Sequence, residues 1–284
     1  MITVLSWNIQ CGRGVDGRVD LERIARVIRA NGDPDLICLQ EVASHMPELD
    51  GGAGGDQAAA LARLFPDHEA VYGPALEVRD GEASPYRRFG NLVLSRLPVR
   101  QIFRHLLPQP ADPGLLHMPR QATEVVVAAA SGPLRVITTH LEYHSARQRL
   151  AQILRLRELQ QEAADNAARP PQAGTGPYAA RPRPASCVLC GDLNCRPEDE
   201  AFRRLLDPLP DGLPGFRDAW SLAHGARPHA PTCGIFDRVQ WPEGPHCRDF
   251  FLVAGDLEGK VADLRIDGET DASDHQPLRL TLRI

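Results

Sequence analysis

Asp192 and Asn194 stand two residues apart, directly after an apolar run, in the stretch VLCGDLNC at residues 188–195. Side chains two residues apart on an extended strand point in the same direction, so this carboxylate and this amide would leave the strand end together. In layered α/β folds ligands gather at strand ends, and these two groups could hold a water molecule and a phosphoryl oxygen there. Taken alone, Asp-x-Asn more often closes a strand as an Asx turn.

The cysteines around this pair offer a competing interpretation. Cys187 and Cys190 have the C-x-x-C spacing of zinc and redox sites. On a short strand, however, residues three apart point to opposite faces, and no second such pair or paired histidine follows at zinc-finger spacing. We therefore interpret them as buried strand cysteines. The chain has seven cysteines without regular spacing, which predicts free thiols and a cytoplasmic location.

Similar polar residues stand beside other apolar runs of the chain. Glutamate and asparagine supply the hard oxygen atoms that Mg²⁺ prefers, and a histidine beside a carboxylate suits acid–base chemistry. Each residue taken singly is more often a turn or a cap, but their repeated placement at strand ends favours one shared site. These residues are Asn8, Glu41, His140, Asp249, Asp274 and His275.

Alternating strands and helices must position these groups. Residues 1–9 predict a strand, residues 19–30 a helix capped by Asp20, and residues 35–41 a buried strand, which together begin a layered α/β fold. Residues 169–186, RPPQAGTGPYAARPRPAS, predict a flexible surface loop within a single domain over residues 1–284. Further strands are predicted at 90–95, 121–129, 134–139, 187–190, 248–253 and 278–282, and helices at 57–65 and 145–168.

The composition argues against some partners. A net charge of −5 is not that of a protein with a strongly basic surface for nucleic acid, although it does not exclude a local basic patch. No apolar run approaches the roughly 20 residues that a membrane helix needs, so no membrane span is expected.

Six short motifs occur in an order that resembles the endonuclease/exonuclease/phosphatase superfamily, the group of pancreatic-type deoxyribonucleases and abasic-site endonucleases. The resemblance covers residues 7–277 and does not select a subfamily. It implies a four-layer α/β/β/α sandwich of two packed mixed β-sheets, with the site at one edge where strand ends of both sheets meet. The motifs are WNI at 7–9, LQEV at 39–42, THLEYHS at 139–145, GDLN at 191–194, RDFFLV at 248–253 and SDHQP at 273–277.

The resemblance also implies roles for single residues. Asn8, Glu41 and Asp274 match the residues around a divalent metal, Mg²⁺ or Mn²⁺. Asp192 and Asn194 match the pair that orients or deprotonates the attacking water and contacts the phosphate. His275 matches a general base or phosphate-polarising histidine held by Asp249, and His140 matches a second histidine found in many members. Candidate substrate-binding residues are Asn91 and Arg120, at places where family members contact substrate, and Arg147, which could reach a phosphate.

These roles describe a divalent-metal-dependent phosphoester hydrolase of the phosphodiesterase or nuclease type, in which water attacks a phosphoryl group in line. Its partner is a phosphoester substrate, with nucleic acid among the candidates. The alternatives are a phosphomonoesterase, a phospholipid-type phosphodiesterase, and a catalytically silent binding scaffold. A silent scaffold would have lost metal or base residues, and none of those named above is missing.

Overall fold

The computed structural model describes residues 1–284. Its strands are β1 (Ile2–Asn8), β2 (Leu36–Ser44), β3 (Glu69–Val78), β4 (Arg87–Ser95), β5 (Val99–Leu106), β6 (Gln121–Ala129), β7 (Gly132–His140), β8 (Cys187–Asp192), β9 (Phe216–Asp218), β10 (Asp249–Ala254), β11 (Val261–Ile266) and β12 (Leu278–Leu282). Its α-helices are α1 (Leu21–Ala30), α2 (Gln57–Leu64), α3 (Ala146–Ala168), α4 (Glu200–Leu206) and α5 (Ala219–His224).

The strands form two mixed sheets of six strands each. The first sheet has the order β11-β12-β1-β2-β4-β3 and the second the order β5-β6-β7-β8-β10-β9. In the first sheet β1 and β2 run parallel, and in the second β7 and β8 run parallel, while the other pairs are antiparallel. The two sheets therefore share one design, with a parallel pair at the centre of each.

The central strands read as continuous apolar runs because both of their faces are buried. On β8, Val188 and Cys190 face the other sheet, whereas Cys187 and Leu189 face the helix layer of α3 and α4. The first sheet alternates in the same way, and its outer face packs against α1 and α2. This arrangement gives the four layers α/β/β/α, which confirms the fold class predicted from the sequence.

The alternation on β8 also decides against a cysteine metal site. Cys187 and Cys190 lie in different layers of the core, as expected for residues three apart on a strand. All seven cysteines are free and buried. They behave as small apolar side chains of the core.

Helix starts follow the capping chemistry of the sequence. The Asp20 carboxylate accepts a hydrogen bond from the backbone N–H of Arg23 at the start of α1, as predicted. The Ser145 hydroxyl caps α3 by accepting from the N–H of Gln148. Each cap satisfies an N–H that the first helical turn leaves without a partner.

The sequence analysis did not predict β3, β5, β9 and β11. On β5 the residues alternate between half-buried and exposed, and its polar side chains weaken the apolar signal. β9 has three residues, too few for a periodic pattern. β3 and β5 form edges of the two sheets, where one side of the strand lacks a partner and polar residues are common.

Residues 169–186 carry little regular structure, with one 3-10 turn at Gly176–Tyr178 and mostly exposed side chains. The end of this segment is anchored, because the guanidinium of Arg183 donates two hydrogen bonds of 2.8 and 2.9 Å to the buried carboxylate of Glu124. A cavity of about 530 Å³ lies between this segment and β5. No helix of the chain combines the length and the apolar character needed to cross a bilayer.

Candidate active site

The strand register brings the predicted polar residues to one edge of the sandwich. Asp192, the last residue of β8, lies opposite His140 on β7 and opposite Asp249 on β10. Asn8 ends β1 opposite Gln40, the residue before Glu41. Because the ends of β1 and β8 meet at this edge, both sheets contribute to one site.

Gly191 allows the close approach of β7 and β8 just before Asp192. Its φ of 136° is unfavourable for residues with a side chain, and a Cβ atom here would lie 1.9 Å from the carbonyl oxygen of Thr139. The GD pair in GDLN is thus explained by packing as well as by chemistry. The glycine lets the two strands approach, and the carboxylate follows at the edge.

We expect Gly191→Ala to lower the free energy of unfolding by about 2–4 kcal/mol, because it adds a backbone clash to an unfavourable φ. Gly132→Ala is a matched control, since Gly132 has a φ of 121° but no atom within 4 Å of the added Cβ. The control should cost about 1 kcal/mol. Urea denaturation of both variants measures the difference, and equal losses would show that the contact with Thr139 is unimportant.

Two catalytic candidates adopt the left-handed backbone region that residues with side chains seldom use. Glu41 has a φ of 57° and Asn194 a φ of 50°. Glu41 also lies where the pairing of β2 with β4 shifts between Leu39 and Val42, which is a β-bulge. Such conformations cost about 1–3 kcal/mol each and cluster at functional sites. Here they aim the side chain of Glu41 out of β2, and that of Asn194 just beyond β8, into the site.

The carboxylate of Asp192 accepts two hydrogen bonds. Its Oδ1 accepts a hydrogen bond of 2.9 Å from the backbone N–H of Asn194, and its Oδ2 accepts one of 3.1 Å from Nδ2 of Asn8. Asp192 and Asn194 therefore form an Asx turn and also lie in the site, so the two interpretations of this pair do not exclude each other. Burial opposes ionisation of Asp192, but the nearby charge of His275 and the Asn194 hydrogen bond outweigh it and hold its pKa below the usual value.

His275 forms a histidine–carboxylate pair with Asp249, with 2.8 Å between Nδ1 and Oδ2. Burial opposes the charged imidazole, but the carboxylates of Asp249, Asp274 and Asp192 outweigh it and raise the pKa of His275 well above its usual value. Its Nε2 lies 3.7 Å from Oδ2 of Asp192. The ring is thus held as an imidazolium with its free N–H toward the site.

Thr232 is a positioning residue to which the sequence analysis gave no role. Its hydroxyl donates a hydrogen bond of 2.7 Å to Oδ2 of Asp249 and accepts from the backbone N–H groups of Arg248 and Asp249. The contact spans 17 residues of chain, so no local pattern announces it. It fixes the carboxylate that in turn orients His275.

His140 is the second histidine of the site, and it is neutral. Nδ2 of Asn194 donates both to the carbonyl oxygen of Leu141 at 2.8 Å and to Nε2 of His140 at 3.0 Å. Nε2 must therefore accept, which leaves the ring hydrogen on Nδ1, 3.8 Å from Oε1 of Glu41. Burial, helped by the charge of Arg120, lowers the pKa of His140 to about 3.

The donor set around Glu41 suits a hard divalent cation. Nδ2 of Asn8 donates one hydrogen bond to Oε1 of Glu41 at 3.0 Å and another to Oδ2 of Asp192. The negative charge of Asp274 lies near enough to repel that of Glu41. Burial, followed by this repulsion, raises the pKa of Glu41 to about 7. Clustered buried carboxylates are stabilised by a bound cation, and their oxygens are the ligands that Mg²⁺ and Mn²⁺ prefer. Glu41 and Asp274 could therefore hold such an ion. Asn8 could join them only through Oδ1, which here accepts from the backbone N–H of Gln10 at 3.1 Å, so its amide would have to turn.

A second group of possible ligand atoms overlaps with this one. Atoms of Asp192, Asp249 and His275 lie within 4.8 Å of one another. However, Nδ1 of His275 and Oδ2 of Asp249 are used by their mutual hydrogen bond, and Thr232 donates to the same carboxylate oxygen. Nε2 of His275 would have to lose its proton to bind a metal ion, whereas the carboxylates on the Glu41 side offer oxygen ligands directly, so that side fits a hard cation better.

The site opens to solvent through a cavity of about 360 Å³. Asn8 and Asp249 lie buried beneath it. The sequence analysis gave no role to four residues that line it, Gln10, Tyr143, Gln240 and Trp241, because they stand in loops without strand or helix periodicity. The cavity is lined by Gln10, Glu41, Arg120, His140, Tyr143, Asp192, Asn194, Gln240, Trp241, Asp274 and His275.

The three predicted substrate-binding residues have different positions. Arg120 lines the cavity and pairs with Glu142 at 3.4 Å. Asn91 lines an adjoining crevice, where its amide donates to the carbonyl oxygen of Gln121. Arg147 lies outside the cavity, and its guanidinium donates to the carbonyl oxygen of Ala111 at 2.8 Å. The structure therefore does not bring Arg147 to the site.

Two aromatic rings line the cavity, and the side chain of Arg248 packs against them from outside. The guanidinium of Arg248 lies 5.3 Å from the ring centre of Tyr143 and 4.8 Å from that of Trp241. Nε1 of Trp241 donates to Oδ2 of Asp274 at 3.1 Å, while Tyr143 is 42% exposed. Trp241 thus helps to position a candidate metal ligand, and Tyr143 presents a ring at the mouth of the cavity.

Comparison with known families decides the assignment. The family model described as "Endonuclease/Exonuclease/phosphatase family" matches residues 5–275. The chain belongs to the endonuclease/exonuclease/phosphatase family. The resemblance seen in the six sequence motifs is thereby confirmed. Comparison of the sequence with curated proteins gives no match.

Solved structures of other endonuclease/exonuclease/phosphatase proteins share the fold. A family protein from Beutenbergia cavernae is 26% identical with a TM-score of 0.68, over 100% of this chain and 71% of that one. Truncated TDP2 from Caenorhabditis elegans is 23% identical with a TM-score of 0.64, over 99% and 96%. The 3′ phosphatase NExo from Neisseria, bound to a product DNA hairpin, is 18% identical with a TM-score of 0.63, over 100% of both chains.

Proposed function

We propose that this protein is a divalent-metal-dependent phosphodiesterase of the endonuclease/exonuclease/phosphatase family, in which water attacks a phosphoryl group in line. One observation carries the proposal. A buried imidazolium–carboxylate pair, an ionised aspartate and a set of hard oxygen ligands all converge on one open cavity. This combination suits phosphoryl transfer, because a negatively charged ester repels an attacking nucleophile and its charge must be stabilised.

The protonation states assign roles to the two main candidates. Asp192 is ionised, so it is the group that can orient the attacking water and accept its proton. His275 is protonated, so its Nε2–H can donate a hydrogen bond to a non-bridging phosphoryl oxygen and stabilise the developing charge. As the bond from the water oxygen to phosphorus forms, the bond to the leaving oxygen breaks. Asn194 holds the neutral His140 beside the same space.

A Mg²⁺ or Mn²⁺ ion bound by Glu41 and Asp274, and by Oδ1 of Asn8 if its amide turns, would supply electrostatic stabilisation of the phosphoryl and leaving oxygens. Asn8 donates hydrogen bonds to both Glu41 and Asp192, so it connects the candidate metal ligands to the proposed base. Trp241 holds Asp274 through its indole N–H. These contacts fix the ligands before any substrate arrives, which is the preorganisation that phosphoryl transfer depends on.

A phosphomonoesterase is the second candidate. The Neisseria protein is described as a 3′ phosphatase, and a Bacteroides thetaiotaomicron protein of similar fold is described as a mannosyl-6-phosphatase. The cavity of this chain favours a diester, because Arg120 is its only guanidinium and already pairs with Glu142. A terminal phosphate carries about −1.5 to −2 charges at neutral pH and calls for more cationic partners.

The proposal is tested by hydrolysis assays with Mg²⁺ or Mn²⁺ and with EDTA as control. The substrates should be bis-p-nitrophenyl phosphate, p-nitrophenyl phosphate, single-stranded and plasmid DNA, RNA, phospholipids and inositol phosphates. Metal-dependent cleavage of diesters in preference to the monoester supports the proposal. Preference for p-nitrophenyl phosphate would favour the phosphomonoesterase instead, and cation binding without any turnover would favour a scaffold.

We expect the affinity for Mn²⁺ to fall as the pH drops below about 7. Burial and Asp274 raise the pKa of Glu41 to about 7, so below that pH the carboxyl group holds a proton that the cation must displace. If one proton is displaced, the dissociation constant rises about tenfold for each pH unit below this value and levels off above it. Isothermal titration calorimetry across this range measures the effect. Glu41→Gln should bind more weakly and without this dependence, and a wild-type affinity constant over the range would contradict the prediction.

We also propose a cytoplasmic location. Seven free, buried thiols support a reducing compartment.

A further inference from the structure

A second groove adjoins the catalytic cavity, on the far side of a bridge formed by Gln10 and Gln240. Its volume is about 430 Å³, within the roughly 300–1,000 Å³ typical of small-molecule sites. Both glutamines line both spaces, and Nε2 of Gln10 donates to Oε1 of Gln240 over 3.0 Å. Because one exposed hydrogen bond marks the boundary, a substrate held at the catalytic cavity can continue into the groove.

The groove has the charge of an anion-binding site. Arg13 and Arg238 line it, and neither forms an ion pair. Arg13 donates only to the carbonyl oxygens of Gly17 and Leu49, and Arg238 is exposed without a hydrogen-bond partner. Asp237 is the single carboxylate in the lining, so two positive charges stand against one negative charge.

The same groove presents a partly exposed aromatic ring. Phe236 is 41% exposed and lies among the lining residues with Val15 and Val239. An exposed ring next to guanidinium groups suits a ligand that joins a planar aromatic group to an anion. Nucleobases stack on such rings whatever their sequence, and phosphates pair with arginine.

The walls of the groove are fixed by backbone contacts. In the first wall, the N–H of Val15 donates to the carbonyl oxygen of Asp271 at 3.0 Å. In the second wall, Oδ1 of Asp237 accepts from the N–H groups of Val239 and Gln240, each at 2.9 Å. A groove formed in advance loses little conformational entropy when it is filled.

We propose that this groove is a nucleotide subsite, which holds the nucleoside and phosphate adjoining the scissile phosphate. The inference rests on the phosphodiesterase activity proposed above and narrows its substrate to nucleotide diesters, with single-stranded nucleic acid as the extended form. Phe236 stacks on the base, Arg238 and Arg13 pair with the neighbouring phosphate, and the Gln10–Gln240 bridge spans the sugar between the two spaces.

Two substrates of different reach test the subsite. Bis-p-nitrophenyl phosphate has no nucleotide to place in the groove, whereas a short single-stranded DNA oligonucleotide has one. We expect Phe236→Ala to raise the KM for the oligonucleotide about tenfold and to leave kcat/KM for bis-p-nitrophenyl phosphate unchanged. Arg238→Ala should also raise the KM for the oligonucleotide, and it should make this KM less dependent on the salt concentration. Arg100→Ala is the matched control, because Arg100 is also exposed and unpaired but lies on β5.

The outcomes separate this inference from the proposed function. An unchanged KM for the oligonucleotide, or equal losses on both substrates, would overturn the subsite. Cleavage of bis-p-nitrophenyl phosphate but not of the oligonucleotide would also overturn it and leave the proposed function standing. If neither substrate is cleaved, the proposed function fails, and fluorescence anisotropy with a labelled oligonucleotide in EDTA decides on the groove. Binding weakened by Phe236→Ala then supports the subsite, and no binding overturns it.

Discussion

Replacing His275 with glutamine should lower kcat by about 10²–10⁴-fold, the range that a positioned acid–base group contributes. Glutamine keeps an amide donor but loses the positive charge that three nearby carboxylates stabilise. The effect should fall on kcat more than on KM, because the charge acts on the phosphoryl oxygens as the transition state forms. Steady-state kinetics on bis-p-nitrophenyl phosphate measure it, with circular dichroism to confirm that the fold is kept.

A second histidine–carboxylate pair in the same chain is the matched control. Nε2 of His229 lies 3.1 Å from Oδ2 of Asp218, but neither residue lines the catalytic cavity. His229→Gln removes a comparable pair and should leave kcat unchanged, even if it costs stability. Near-normal turnover by His275→Gln, or an equal loss in both variants, would show that His275 does not act on the substrate.

The partner of His275 gives an independent readout. Asp249→Asn removes the carboxylate that does most to raise the pKa of His275, so the imidazole should lose its proton at lower pH. If the protonated ring is needed, activity falls as the pH rises through the pKa of His275, and this alkaline limb should shift to lower pH in the variant. A merely structural role for Asp249 would lower activity without moving the pH profile.

Asp192→Asn should have an effect of similar or greater size, about 10³–10⁴-fold on kcat. The substitution keeps the size of the side chain and an oxygen that can accept from the N–H of Asn194, but it loses the acceptor for Nδ2 of Asn8 and the group that can accept a proton from water. Cation binding should persist, because Glu41 and Asp274 remain. Kinetics combined with calorimetry of Mn²⁺ binding therefore separate a lost base from a lost metal ligand.

Asp199→Asn controls for the loss of a nearby negative charge. Its carboxylate accepts from the N–H of Arg196 at 2.7 Å and lies outside the cavity. This variant should retain wild-type kcat. If Asp192→Asn also retained activity, His275 would have to serve as the base, and its high pKa would argue against the whole assignment. If Asp192→Asn lost Mn²⁺ binding, Asp192 would be a ligand rather than the base.

Much of the fold could be predicted because its signals are local. The run at residues 187–190, the cap at Asp20 and the long helix after Ser145 depend on neighbouring side chains and backbone groups alone. The edge strand β5 could not be predicted, because its local pattern is weak and it is its pairing with β6 that makes it a strand. Gly191 could be recognised in its motif, but its reason, the carbonyl of Thr139, lies on another strand.

The features of the site can also be separated into those that the sequence determines and those that depend on the tertiary structure. The chain by itself determined which chemical groups are present, since polar residues that follow apolar runs can be read in order from Asn8 to His275. Only the tertiary structure decided how these groups act together. It made Asp192 an anion, His275 a cation and His140 neutral, excluded Arg147, and brought in Thr232, Tyr143 and Trp241 from loops. The physical reason is that pKa values and contacts depend on burial and on charges that are close in space, and in this fold those charges come from positions far apart in the chain.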